Sequence, residues 1–274
     1  MEKIAFVGDS YCVNHDSGSW LDIVLKEYNA EMICRGRGGG CLFHSYEDLL
    51  NIVNEADYII FCITAYTRLP NRYAINIDPK YLGGGKTWDL NKVSTANNEL
   101  LRKHNNGMHY TQGSNDVLDK EEPIPPHALK RIVKAAELYY KYFMSLDFHQ
   151  VAQKGILMQI DELMLQKKKK CIWFPCFENE LSMLSYRPKS GPIANTDLAT
   201  ISNKEQEHDN EAQKLLNKYI KQGRDPRCNH LNEEHNKKLA QVVIDIIETN
   251  NFSPHEIKME DYFLILSRVE RIRT

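Results

Sequence analysis

Lys3-Ile4-Ala5-Phe6-Val7-Gly8-Asp9-Ser10 opens the chain with a short apolar run stopped by a glycine and two small polar residues. A run of this length bounded by turn residues predicts a buried strand leading straight into a turn. A second run, Tyr58-Ile59-Ile60-Phe61-Cys62-Ile63, is continuously apolar. That is the pattern of a strand covered on both faces in a parallel sheet. Between the two lies first a helical pattern, capped by Asp16 or Ser17 and carrying Trp20, Leu21, Val24 and Leu25 on one face to about Tyr28. A short strand over Glu31 to Cys34 and a helix over Tyr46 to Asn54 follow. Strand, loop and helix in alternation imply βαβ units, and so an α/β fold around a parallel sheet.

The alternation lapses between about Thr64 and His127, a polar stretch containing Gly83-Gly84-Gly85 and ending in Pro123-Ile124-Pro125-Pro126. It reads as a long insertion over one edge of the sheet, and such segments often serve as lids or binding loops. Helical spacing returns from His127 to about Lys168, with Gly155 as a break between two helices. Lys167 to Lys170 read as a solvated helix end, favoured by the helix dipole, ahead of a fourth strand over Cys171 to Phe174. Residues 177–208 read as loop, Glu211 to Lys221 as helix, and Glu233 to Thr249 as an amphipathic helix carrying Leu239, Val242, Val243, Ile246 and Ile247. From Phe252 onward the pattern fits strand and helix equally.

Composition narrows the class. Of 274 residues, 42% are apolar and 26% charged, ordinary values for a globular protein that favour neither disorder nor a coiled coil. A formal net charge of -2 supplies no basic field, so nucleic acid is not the expected partner. No apolar run reaches the roughly 20 residues that span a bilayer, so no membrane association is expected. Met1-Glu2-Lys3-Ile4 enters the first strand without the regions of a signal peptide, so a cytoplasmic protein is expected. The seven cysteines form no CxxC pair and several sit in strand-like runs, which suits reduced, buried thiols.

Chemistry concentrates at two places. Ser10 stands at the carboxyl end of the first strand, the edge where sites gather in open α/β sheets. A serine hydroxyl is almost wholly protonated at neutral pH, so a nucleophilic Ser10 needs a base. Gly-Asp-Ser is also ordinary turn chemistry. The second place is Asp225-Pro226-Arg227-Cys228-Asn229-His230-Leu231-Asn232-Glu233-Glu234-His235, a polar loop running into the last amphipathic helix. A histidine at the end of the α/β alternation is placed to return to the first strand's edge. Its other reading is a local helix-flanking hydrogen bond. The combination of an N-terminal Gly8-Asp9-Ser10 with a C-terminal His230 block is more specific than either part.

Together these residues resemble the SGNH or GDSL hydrolase family. Its nucleophile lies in a GDS block after the first strand and its base in a block near DxxHxNxxGH before the last helix. Ser10 matches the first block, and His230, Asn232 and His235 match much of the second. The resemblance covers about residues 1–68 and 171–249. It implies a three-layer, flavodoxin-like α/β sandwich, with residues 1–274 as a single domain and an insertion at about 69–126. It implies a serine esterase or deacetylase acting on a small ester or acylated carbohydrate, with no metal and no cofactor. The implied roles are Ser10 as nucleophile and His230 as base, with Asp225 orienting the histidine. Asp9, Gly39, Gly40, Thr64, Tyr66 and Arg68 lie on the oxyanion and substrate side. In two respects the chain departs from the family. Thr64-Ala65-Tyr66-Thr67-Arg68 stands where the family keeps a GxND block, so its oxyanion asparagine is missing. Losing one such donor typically costs about 100- to 1000-fold in rate. The acid position three before the histidine is Arg227, and Asp225 lies five before it. A catalytically degenerate binding or structural protein on the same fold is therefore the alternative.

Other motifs are weaker. Gly83-Gly84-Gly85-Lys86-Thr87 imitates a phosphate-binding loop but has Lys80 where the pattern needs glycine. Gly36 and Gly38 begin a dinucleotide fingerprint, yet Cys41 stands at its third glycine and the loop follows the second strand. His230 and His235, five apart, gain no third ligand for zinc. Tyr139, Tyr140 and Tyr142 read as helix packing rather than a base-stacking platform.

Overall fold

The computed structural model describes residues 1–12, 18–36, 41–64, 146–177, 186–207 and 231–263, with positions 131, 138 and 142. Its strands are β1 (Lys3–Val7), β2 (Glu31–Cys34), β3 (Tyr58–Ile63), β4 (Lys170–Pro175), β5 (Ile193–Ala194) and β6 (Glu256–Ile257). Its helices are α1 (Trp20–Glu27), α2 (Leu42–Ile52), α3 (Leu146–Gln166), α4 (Leu198–Glu207) and α5 (Glu233–Glu248). The strands form one six-stranded sheet in the order β2-β1-β3-β4-β5-β6, and every pairing is parallel. The fold is α/β, as the opening runs predict.

Helices cover both faces of the sheet. On one side α1 and α5 pack together, and Trp20, Leu21, Val24, Leu239, Val242 and Val243 join Ile4, Phe6 and Ile60 in a core. On the other, α2 and α3 pack together over Ala5, Val7, Ile59, Phe61 and Trp173. β3 is buried along its whole length because its alternate residues enter opposite cores, which is why it carries no charged residue. The order places β1 between β2 and β3, at the point where the chain reverses its direction across the sheet. In open parallel sheets this switch point is where ligand crevices form, beyond the strands' carboxyl ends. Ser10 follows β1 at that point.

Several elements differ from the sequence reading. The cap of α1 is Ser19, not Asp16 or Ser17: its Oγ accepts the Asp22 N–H and donates to the Asp22 carboxylate, a reciprocal cap. The second helix starts at Leu42 rather than Tyr46, because Leu42 and Leu49, seven apart, share a buried face. Gly155 does not break α3, which runs through it. A Cβ there would meet nothing within 4 Å, so only the modest helix propensity of glycine opposes continuity. Residues 177–208 are not all loop. Ile193–Ala194 adds a strand whose partners are β4 and a segment some 60 residues later, and Leu198 and Ile201 bury one side of α4. The lysine run does more than meet solvent. Lys169 Nζ donates to the carbonyls of Asn54 and Ala56 after α2, and Lys170 Nζ lies over the rings of Tyr58 and Phe252.

Cys12, Cys41, Cys62, Cys171 and Cys176 are buried and Cys34 partly so, all as free thiols. No helix among the described residues is long and apolar enough to cross a membrane. The 69–126 insertion, the helix read over Glu211 to Lys221 and Cys228 lie outside the described residues.

Candidate functional site

The turn that carries Ser10 is built by three residues that have little freedom. Gly8 has φ +150°, and a Cβ there would lie 2.5 Å from the carbonyl oxygen of Cys62 on the neighbouring strand. Only glycine lets the chain leave β1 this close to β3. Asp9 is fully buried, and its carboxylate folds back to accept the N–H of Tyr11 at 3.1 Å while its carbonyl accepts that of Cys12 at 3.0 Å. This side-chain turn is the ordinary use of aspartate before a tight bend. Ser10 then begins a single 3₁₀ turn, Ser10–Cys12, and is itself half-buried.

Gly36 closes on this turn from β2. Its N–H donates to the Cys12 carbonyl at 2.9 Å, and a Cβ on it would stand 2.4 Å from the Asp9 carbonyl oxygen and 2.6 Å from Cys12 Cβ. Sequence reasoning passed over Gly36 in favour of Gly38 to Gly40. The signal available was the one glycine that directly follows β2 and its arginine.

Below the turn lies a group of thiols. Cys12 donates to the Val7 carbonyl at 3.6 Å and Cys176 to the Phe174 carbonyl at 4.0 Å, and Cys12, Cys62 and Cys176 are neighbours of one another and of Asp9. Burial pushes the Cys12 thiol up to about 11 and those of Cys62 and Cys176 well above their ordinary value. A nucleophilic cysteine needs a lowered pKa. These thiols are neutral at pH 7 and act as packing and as a polar bed for Asp9. Thr64 joins the same bed: it is fully buried and its hydroxyl donates to the second Asp9 oxygen at 3.4 Å. These Asp9 and Thr64 contacts hold the turn that carries Ser10.

The C-terminal block reaches the turn through tryptophan. Trp20 Nε1 donates to the Tyr11 carbonyl at 2.9 Å, and the Trp20 main-chain N–H donates to Asn236 Oδ1 at 2.9 Å. The Asn236 amide donates in turn to the carbonyls of Leu231 and Asn232, each at 3.0 Å. Leu231 is buried in the same core as Tyr11 and Cys12, and Tyr11 stacks edge-on against Phe177 at 6.0 Å. Asn232 caps α5 by accepting the His235 N–H at 2.8 Å, and the His235 ring meets Phe263 edge-on. Asn236 was also missed by the sequence reading. It lies three before Leu239 and seven before Val243, so a polar residue on the buried side of an amphipathic helix was the available signal.

Of the candidate residues, Asp9, Ser10 and Thr64 are brought together at the carboxyl edge of β1 and β3. His230, Asp225, Gly39, Gly40, Tyr66 and Arg68 lie outside the described residues. At the same edge, His44 and Asp48 occupy the buried side of α2, four residues apart, just after the glycine-rich loop. Among the described residues no cluster of three or more His, Cys, Asp or Glu side chains could hold a metal ion. No family model matches this chain, and neither a curated protein nor a solved structure matches it.

Proposed function

We propose that this chain is a serine hydrolase of the SGNH type, an esterase or deacetylase acting on a small ester or acylated carbohydrate. Ser10 is the nucleophile in this reading and His230 its base. The observation that supports it most is the tie between the C-terminal block and the Ser10 turn. Leu231, the residue after His230, is buried in the core that holds Tyr11, the residue after Ser10. Asn236 reaches the same turn through Trp20. A base has to stand within hydrogen-bond reach of its nucleophile, and this tie is the kind of scaffold that requirement calls for.

In the proposed reaction Ser10 Oγ attacks the ester carbonyl while His230 takes its proton. The tetrahedral oxyanion is met by main-chain N–H groups of Ser10 and of Gly39 or Gly40. His230 then gives the proton to the leaving alcohol, and an acyl-enzyme remains. Water, deprotonated by His230, releases the acid and restores Ser10. Asp225 orients the imidazole, and Tyr66 and Arg68 face the substrate, Arg68 toward any anionic group on it. No metal or organic cofactor enters.

One observation favours the second reading, a non-catalytic binding or structural protein on the same sheet. Thr64, at the start of the stretch where the family carries its asparagine block, turns its hydroxyl to Asp9 instead. The test is labelling by a fluorophosphonate probe together with turnover of a short-chain aryl ester. Wild-type protein is expected to label and turn over, and Ser10→Ala to do neither. Wild-type protein that neither labels nor turns over excludes the hydrolase and leaves the second reading.

A further inference from the structure

We propose that the outer face of the α2–α3 layer binds a second copy of this chain, with the two α3 helices antiparallel across a twofold axis at Met158. The distribution of exposed apolar side chains points there. Among the described residues, every exposed large apolar side chain except Met1 lies on α2, on α3, or at Leu138 and Tyr142 just ahead of α3. The opposite layer, α1 and α5, exposes none. Helix α3 is apolar on two sides: Leu157, Ile160 and Met164 enter the core, while Phe148, Val151, Met158 and Leu165 face outward. Phe148 and Val151 are each 69% exposed. A helix with apolar residues on both sides is normally covered on both. A row of exposed apolar side chains along one helix marks a candidate interaction surface.

Spacing and charge identify the occupant. Val151, Met158 and Leu165 recur every seven residues on α3, and Phe43 and Leu50 do so on the adjacent α2. A seven-residue apolar repeat is the seam by which one helix packs lengthwise against another. The outward residues of α3 are also self-complementary about Met158. Four residues before it stands Lys154 and four after it Glu162; seven before stands Val151 and seven after Leu165. In an antiparallel pair Met158 meets its own copy, Val151 meets the second copy's Leu165, and Lys154 meets the second copy's Glu162. Lys154 makes no ion pair among the described residues, and Glu162 is exposed, accepting only from Gln166 at 3.1 Å. A twofold contact uses one patch twice, so a patch with its own opposite charges is what such symmetry needs.

Sedimentation equilibrium of the full chain tests this over a range of concentrations. Wild-type protein is expected to dimerise, and Met158→Lys to remain monomeric with an unchanged circular dichroism spectrum. Lys154→Glu and Glu162→Lys are each expected to weaken the dimer about tenfold or more. The double variant restores it, because the exchanged charges face each other again. A wild-type monomer at all concentrations overturns the proposal and assigns the face to another occupant. So does a dimer indifferent to Met158→Lys, or a double variant no tighter than the singles. None of these readouts depends on Ser10 chemistry.

Discussion

Asn236 Oδ1 accepts the main-chain N–H of Trp20 at 2.9 Å, joining positions 216 residues apart in the chain. That N–H belongs to the first turn of α1 and has no partner within the helix. The same side chain satisfies the Leu231 and Asn232 carbonyls at the entry to α5. One fully buried amide therefore fastens the C-terminal block to the helix that supports the Ser10 turn.

Replacing Asn236 with leucine strands the Trp20 N–H and the Leu231 carbonyl, while the Asn232 carbonyl keeps the main-chain N–H of residue 236. At about 1–3 kcal/mol for each group stranded, the loss is expected to reach roughly 3 kcal/mol or more. Guanidinium unfolding measures it. A loss under about 1 kcal/mol would mean that water or a shifted helix replaces the amide. Fluorophosphonate labelling at Ser10 is expected to fall in the folded fraction as well.

Two glycines are expected to respond oppositely to alanine. In Gly36→Ala the methyl group meets the Asp9 carbonyl oxygen at 2.4 Å, so the Ser10 turn must shift and stability falls by about 1–3 kcal/mol. In Gly155→Ala it meets nothing, lies inside a helix, and restricts the unfolded chain, adding about 0.5–1 kcal/mol. Thermal melts of the two variants side by side distinguish them, and equal shifts would contradict both structural arguments.

The buried thiols are expected to lower stability at alkaline pH. An unfolded cysteine ionises near 9, whereas burial holds Cys12 neutral up to about 11. Raised in the folded state, this group contributes its full stability below the unfolded value and loses it as pH rises through the folded one. Cys12 alone accounts for about 2–3 kcal/mol across that window. The unfolding midpoint in denaturant is expected to fall between pH 9 and pH 11, and to fall less in Cys12→Ala measured against its own neutral value. An equal fall in both proteins removes Cys12 from the explanation.

Asp161 on α3 is buried and accepts the Tyr186 hydroxyl and the N–H groups of Lys189 and Ser190. These bonds anchor the segment that carries Gly191, whose absent Cβ would clash with the Cys171 carbonyl oxygen. Asp161→Ala is expected to cost about 3–5 kcal/mol and to loosen β5, seen as faster amide exchange at Ile193. Unchanged protection at Ile193 would show that β4 and β6 hold the strand without it.

The strands that carry the fold were legible because their residues answer a local question. Lys3–Val7 and Tyr58–Ile63 are buried on both sides, so their apolar runs are unbroken and their ends are marked by turn residues. β5 was not legible: two residues have no period, and Ile193 becomes a strand only because Trp173 and Glu256 lie beside it. The start of α1 was read three and two residues early, since aspartate and serine recur before it. The reciprocal bond between Ser19 and Asp22 decides among them.

By itself the sequence determined an α/β chain with a parallel sheet and a serine at the carboxyl end of its first strand. Those properties follow from apolar period and turn chemistry, which act over a few residues. Tertiary structure alone decided that Gly36 closes the Ser10 turn, that Asn236 fastens α5 to α1, and that Thr64 serves Asp9. Each is a contact between groups 24 to 216 residues apart in the chain. Hydrogen bonds and close packing depend on positions in space, and no local pattern encodes which distant residue will stand within 3 Å of another.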